Sequence, residues 1–144
     1  MQFTAQQIAL IVSGTIQGNP DTIVTSFGKI EEAAVGQLTF LANPKYNDYL
    51  YTTNASLIIV NESLQLQKNI TATLVRVKDA YSAFATLLAT YQNLKAQQKE
   101  GIETPSHIAT NATLGTDVFI GAFAYIGEKV SIGNNSKIFP GAYI

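Results

Sequence analysis

The chain has 144 residues, 47% hydrophobic and 13% charged, with a formal net charge of -1; it is too apolar for a solvated tail and lacks the basic excess that grips a phosphate backbone. With no cysteine and one histidine, His107, no disulfide, thiolate nucleophile, metal site or cofactor is expected from these residues. No apolar run approaches the roughly 20 residues that cross a bilayer, and the start Met1-Gln2-Phe3-Thr4 is unlike a leader peptide, so a cytoplasmic protein with no transmembrane segment and no nucleic-acid partner is expected.

In chain order, Thr4-Ala5-Gln6-Gln7 has the form of a capping box, and the apolar run behind it stops at Ser13-Gly14, which predicts a first helix over 4–13. Thr15-Ile16-Gln17 and Thr22-Ile23-Val24-Thr25 flank Gly18-Asn19-Pro20-Asp21, the pattern of two strands around a tight turn. Strands are expected at 38–41 and at 55–60, the second buried on both faces because it does not alternate. Between them Asn43-Pro44 can open a helix of about two turns over 44–51, since proline at the first helical position loses no hydrogen bond. A strand at 72–77 follows. Asp79 then caps a helix that aligns Ala80, Phe84, Leu87, Leu88, Tyr91 and Leu94 for packing on a sheet. The polar stretch 95–101 reads as helix end and linker, so residues 1–100 form a small α/β domain and 101–144 a second region.

That second region has a different period. Aliphatic residues recur at every sixth position: Ile108, Leu114, Ile120, Ile126, Ile132, Ile138 and Ile144. Two residues before each stands a small or β-branched residue, Ser106, Ala112, Val118, Ala124, Val130, Ser136 and Ala142. After the aliphatic position come Ala109, Gly115, Gly121, Gly127 and Gly133, with Phe139 the exception. A period of six fits neither a helix stripe nor an amphipathic strand. It predicts a solenoid of short strands with the aliphatic residues stacked inside and glycine or alanine permitting tight corners. About two coils are expected, with no polar cap after Ile144, so the sequence reads as truncated.

The repeat is similar to that of the hexapeptide-repeat acyltransferases, and this resemblance implies a left-handed parallel β-helix with three hexapeptides per coil. The segment Gly36-Gln37-Leu38-Thr39-Phe40-Leu41-Ala42-Asn43-Pro44-Lys45-Tyr46 resembles the uridine-site motif of the UDP-3-O-acylglucosamine N-acyltransferase family of lipid A biosynthesis. The order of parts, a small α/β domain and then the solenoid, agrees with that family along essentially the whole chain. By resemblance, Phe40 and Tyr46 match the aromatics that sandwich the uracil, Asn43 matches a polar contact to the nucleotide, and Lys45 is a candidate for a charge near the diphosphate. Stacking on an aromatic suits a flat pyrimidine, and an amide offers both donors and an acceptor. On the residues alone, Phe40 also reads as core, Asn43 as a turn residue or N-cap, and Tyr46 as the surface of its helix.

The family's catalytic histidine lies several coils into its β-helix, whereas His107 precedes the first predicted repeat, so no catalytic residue is assigned. The resemblance implies a parent enzyme that transfers a 3-hydroxyacyl group from acyl carrier protein to the 2-amino group of a UDP-linked acylated glucosamine and works as a homotrimer. These residues alone are expected to be monomeric and inactive. Two alternatives stand beside it: a non-catalytic nucleotide-binding module, and another hexapeptide-repeat protein such as a sugar O-acyltransferase or a metal-dependent β-helix enzyme.

Overall fold

The computed structural model describes residues 2–144. They divide into two compact units, Met1–Tyr91 and Gln92–Ile144, and the second helix runs across the division to Gln97.

In the first unit, β1 (Phe3–Thr4) leads into α1 (Ala5–Val12). The capping box is present as predicted: Thr4 Oγ1 accepts the Gln7 N–H at 3.2 Å and Gln7 Oε1 accepts the Thr4 N–H at 2.9 Å. Two orphan amides of the helix are satisfied in this way. The chain leaves α1 through Ser13 in the left-handed region, with φ 54°.

The expected strands around a tight turn exist, but they do not pair with each other. β2 (Thr15–Gln17) lies antiparallel to β7 (Thr73–Val77), and β3 (Ile23–Val24) lies antiparallel to β1. Residues 18–22 are instead pinned to β7, where Thr22 Oγ1 and Thr73 Oγ1 are 2.8 Å apart. The turn chemistry is present in the sequence; its pairing partners lie far along the chain.

The main sheet has the order β2-β7-β6-β5-β4, with β4 (Ser26–Phe27), β5 (Gln37–Leu41), β6 (Leu57–Asn61) and β7 parallel. A 3-10 helix, Pro44–Tyr51, connects β5 to β6, with Pro44 in its first turn. Its extent matches the predicted helix, with tighter winding. Helix α2 (Ala80–Gln97) follows β7. Leu57, Ile58, Ile59 and Val60 are all fully buried because the sheet is covered on both sides. Leu57 and Ile59 join Ile8, Val75, Ala80, Ala83 and Leu87 in one apolar cluster. Ile58 and Val60 join Leu41, Leu50 and Leu74 in the other. Of the predicted α2 stripe, Ala80 and Leu87 are buried and Phe84 packs on the first cluster, with Ala83 as an unforeseen member.

The second unit stacks two-residue strands in parallel with a register of 18 residues: Thr113 pairs with Ser131, Phe119 with Lys137, and Tyr125 with His107. Three hexapeptides therefore make one coil. Ile120, Ile126 and Ile132 are buried inside with Val118 and Ala124, as the period predicted. The coils begin one hexapeptide earlier than Ile108, since Gly101–Ile102 pairs with Phe119–Ile120. His107 therefore lies within the repeat, not before it.

The glycines act differently from the expectation that they turn the corners. Between Ile102 and Ile144 the left-handed backbone falls at Asp117, Phe123, Lys129, Asn135 and Gly141. Gly115 and Gly121 are required by close approach, because a Cβ on Gly121 would lie 2.5 Å from Pro140 Cδ and one on Gly115 would lie 2.6 Å from the Asn134 backbone nitrogen. The coil above rests directly on them.

Candidate functional site

Beyond the carboxyl end of β5 the first unit has a cleft of about 420 Å³. In open sheets with parallel strands, ligands collect at such strand ends. Three elements meet there: the loop before β5 contributes Lys29 and Glu31, the β5 end and the 3-10 helix contribute Phe40, Asn43 and Tyr46, and α2 contributes Tyr81.

Phe40 is half-buried because its strand position faces α2. Its ring stacks on Phe84 with centroids 4.3 Å apart and planes 18° apart, and Tyr81 meets it nearly edge-on at 6.2 Å and 66°. The core reading of Phe40 and the cleft reading both hold, since one ring face is taken by Phe84 and the residue still lines the cleft. Tyr46 packs partly against the second apolar cluster and lies 6.0 Å from the Tyr49 ring. Asn43 caps the 3-10 helix, with its Oδ1 accepting the Lys45 N–H at 3.0 Å. Capping uses the amide oxygen, and the side-chain NH2 remains a donor on a residue that lines the cleft. The three residues singled out from the sequence thus line one cleft. Lys45 is exposed and does not line it; the cation that does is Lys29.

Tyr81, like Lys29 and Glu31, is a lining residue that sequence reasoning missed. It stands in the first turn of α2, whose start is fixed by three contacts. Asn61 Oδ1 accepts the Ala80 N–H at 2.7 Å, Asp79 Oδ1 accepts the Tyr81 N–H at 3.2 Å, and the Ser82 hydroxyl donates to Asp79 Oδ2 at 2.6 Å. The Ser82 hydrogen bond, with help from the Tyr81 and Ser82 amides, holds the Asp79 carboxyl below its usual range against the opposing effect of desolvation. The signal available in the sequence was an aromatic at the helix start, three positions before Phe84.

A larger cleft, about 490 Å³, lies at the opposite end of the sheet. It is walled by neutral amides and hydroxyls such as Gln17, Asn19, Asn54 and Thr71, with no aromatic face and no charged group. In the solenoid, His107, Tyr125 and Tyr143 stack in one outward row at 4.6 and 4.7 Å. Among the described residues no group of His, Asp and Glu side chains could hold a metal ion, and no helix is long and apolar enough to cross a membrane.

Residues 21–90 match the family described as UDP-3-O-(3-hydroxymyristoyl) glucosamine N-acyltransferase, LpxD, and residues 106–144 match the bacterial transferase hexapeptide repeat. The chain is 54% identical over 119 residues to the UDP-3-O-acylglucosamine N-acyltransferase of Christiangramia forsetii, an alignment that takes in 83% of this chain and 35% of that protein. It is 45% identical over 117 residues to the protein of that name from Cytophaga hutchinsonii, covering 81% of this chain and 34% of the relative. With the Bacteroides thetaiotaomicron protein of that name the identity is 43% over 119 residues, 83% of this chain and 34% of the relative. The chain spans about a third of the length of the curated relatives it matches. The two matched segments follow each other in the order that the fold shows, an α/β unit and then a hexapeptide solenoid, and on this ground the chain belongs to the UDP-3-O-acylglucosamine N-acyltransferase family.

Proposed function

We propose that these residues form the nucleotide-holding α/β unit and the first coils of an acyltransferase of lipid A biosynthesis. The reaction moves a 3-hydroxyacyl group from acyl carrier protein to the 2-amino group of UDP-3-O-acyl-glucosamine. The observation that carries this reading is the convergence of Phe40, Asn43 and Tyr46 on one cleft at the end of a parallel strand. A uracil stacked on the free face of Phe40, flanked by Tyr46, receives a hydrogen bond from the Asn43 amide NH2, whose oxygen is already committed to the helix cap. Lys29 supplies the positive charge for the diphosphate.

On this reading residues 1–100 serve the nucleotide and 101–144 open a left-handed parallel β-helix, the hand used by the hexapeptide-repeat acyltransferases. The coil of three short strands with an 18-residue register supports the parallel β-helix, and its hand is taken from that family. The working enzyme is a cytoplasmic homotrimer with solenoids side by side. In favour stand the large apolar side chains left exposed on the second unit, Phe123, Tyr125, Phe139 and Tyr143. The reading assigns the base that takes the proton from the attacking amine to residues outside these; it is supported by the stacking of His107 on Tyr125 and by the exposure of Asp117 and Glu128 on the outside of the coils.

Titration of UDP and UMP into the 144-residue protein, followed by ligand-observed NMR, tests the reading. Tyr46→Ala and Phe40→Ala are each expected to weaken UDP by about 1–3 kcal/mol. Unchanged UDP affinity in both variants, with native circular dichroism, removes the assignment.

A further inference from the structure

We propose that the cleft of about 490 Å³ at the amino ends of β6 and β7 is a second ligand site, built for an uncharged, hydroxylated ring of the hexose class. It lies at the other end of the sheet from Phe40, Asn43 and Tyr46 and does not depend on the nucleotide reading. Its size falls within the range of small-molecule sites. Its chemistry narrows the ligand. No charged side chain lines it, so an ionic ligand would give up hydration there without meeting an opposite charge. No aromatic ring lines it either, which leaves a nucleobase without a stacking face. The lining is a set of amides and hydroxyls beside the aliphatic side chains of Val35 and Ile70. A sugar ring has both matching parts, hydroxyl oxygens that accept hydrogen bonds and C–H faces that lie on aliphatic groups.

The polar groups of the lining are unequally engaged. Gln17 Oε1 accepts the Arg76 Nε–H at 2.8 Å, Asn19 Oδ1 accepts the Asp21 N–H at 2.9 Å, and Ser56 Oγ accepts the Gly36 N–H at 2.8 Å. In each case the protein takes the oxygen, and the side-chain N–H or O–H remains to donate. These three residues therefore leave donors in excess, the complement of a ligand whose oxygens accept. The wall that carries them is formed in advance. Buried Thr73 accepts the Asn19 N–H at 3.3 Å and lies 2.8 Å from Thr22 Oγ1, which pins the turn at 18–22 to β7. Gly18 permits that close approach, with φ +124° and Thr73 Oγ1 only 3.1 Å from where a Cβ would stand. Val35 is 83% exposed, so folding leaves apolar surface at the cleft for the C–H face of a ring to cover.

The test is saturation-transfer NMR with glucose and galactose as probes and acetate as the charged reference, on the native chain and on Asn54→Ala and Thr71→Ala. Asn54 and Thr71 line the cleft, are exposed, and take no part in the bonds that hold Gln17, Asn19 and Ser56, so the melting curves of both variants should match the native one. The native chain is expected to show transfer to a hexose and none to acetate. Each substitution should weaken the hexose about two- to tenfold, the share of one neutral hydrogen bond. Saturating UDP and Tyr46→Ala should leave hexose binding unaltered. Transfer to neither hexose, equal transfer to acetate, or hexose binding unchanged in both variants overturns the site. Displacement of the hexose by UDP overturns it as well, by moving the sugar to the β5 cleft. Hexose binding by a native chain that does not bind UDP upholds this site and removes the nucleotide reading.

Discussion

The two units solve the burial problem differently. In the α/β unit, neighbouring residues of one strand serve different cores: Ile58 belongs to one cluster and Ile59 to the other, and the buried residues come from six elements in the cluster of Ile59 and from four elements and the loops beside them in the cluster of Ile58. In the solenoid there is a single narrow core, and Ile120 finds its neighbours 18 residues before and after, at Ile102 and Ile138. A position in the solenoid is thus located by counting, whereas a position in the α/β unit is located only by knowing which strands pair.

The largest expected effect tests this contrast directly. Ile59→Ala and Ile120→Ala each remove a fully buried side chain, and both should destabilise within the range of about 2–5 kcal/mol. Ile59→Ala is expected at the upper end, because sheet and helices enclose its cavity, while the stack around Ile120 ends at a half-exposed Ile102. Denaturant melts of the two variants compare them; a larger loss at Ile120 would reverse the ranking.

A smaller effect sharpens the picture within the solenoid. Gly121→Ala places a methyl group against Pro140 of the next coil and should cost about 1–3 kcal/mol. Gly133→Ala, at the same repeat position, meets nothing nearer than Ser136 Oγ at 3.9 Å and should be close to neutral. Equal losses at the two sites would show that glycine serves the backbone angle after all.

The smallest effect belongs to Asp79. Its carboxyl is held below its usual range mainly by the Ser82 hydroxyl, so the folded state binds the proton less tightly than the unfolded chain. The stabilisation it gives is full above the ordinary carboxylate value near about pH 4 and is lost as pH falls through the lower folded value. The stability gap between the native chain and Asp79→Asn is expected to close on acidification in that window. A gap that stays constant to pH 2 would assign the helix start to Asn61 alone.

These differences also explain what could be read from the sequence. The solenoid core was legible because one number, the period, places every inward residue. The start at Ile102 escaped because Gly101-Ile102 sits in a polar stretch, without a small residue two positions earlier. In the α/β unit, local signals were reliable: the capping box at Thr4, the helix opening at Pro44 and the doubly buried β6 are set by near neighbours. Strand partners were not, and the apparent hairpin of β2 and β3 dissolved into pairings with β7 and β1. For the cleft, Phe40, Asn43 and Tyr46 sit within one short segment, so a motif gathers them. Tyr81 joins them only through the packing of α2 beside β5, which no local pattern states.

Asp117, Phe123, Lys129, Asn135 and Gly141 share one left-handed backbone station, although their side chains have nothing in common. The N–H groups of Phe123, Asn135 and Gly141 are held by carbonyls of the coil beneath, those of Pro105, Thr116 and Ala122, and that of Lys129 by the Asn111 side chain. The scaffold below, and not the residue itself, selects the conformation. Such a station is open ground for mutation: an acid, a base, an aromatic or an amide can be displayed there without disturbing the stack, so the outside of the coils can be rewritten for new neighbours while the inside stays the same.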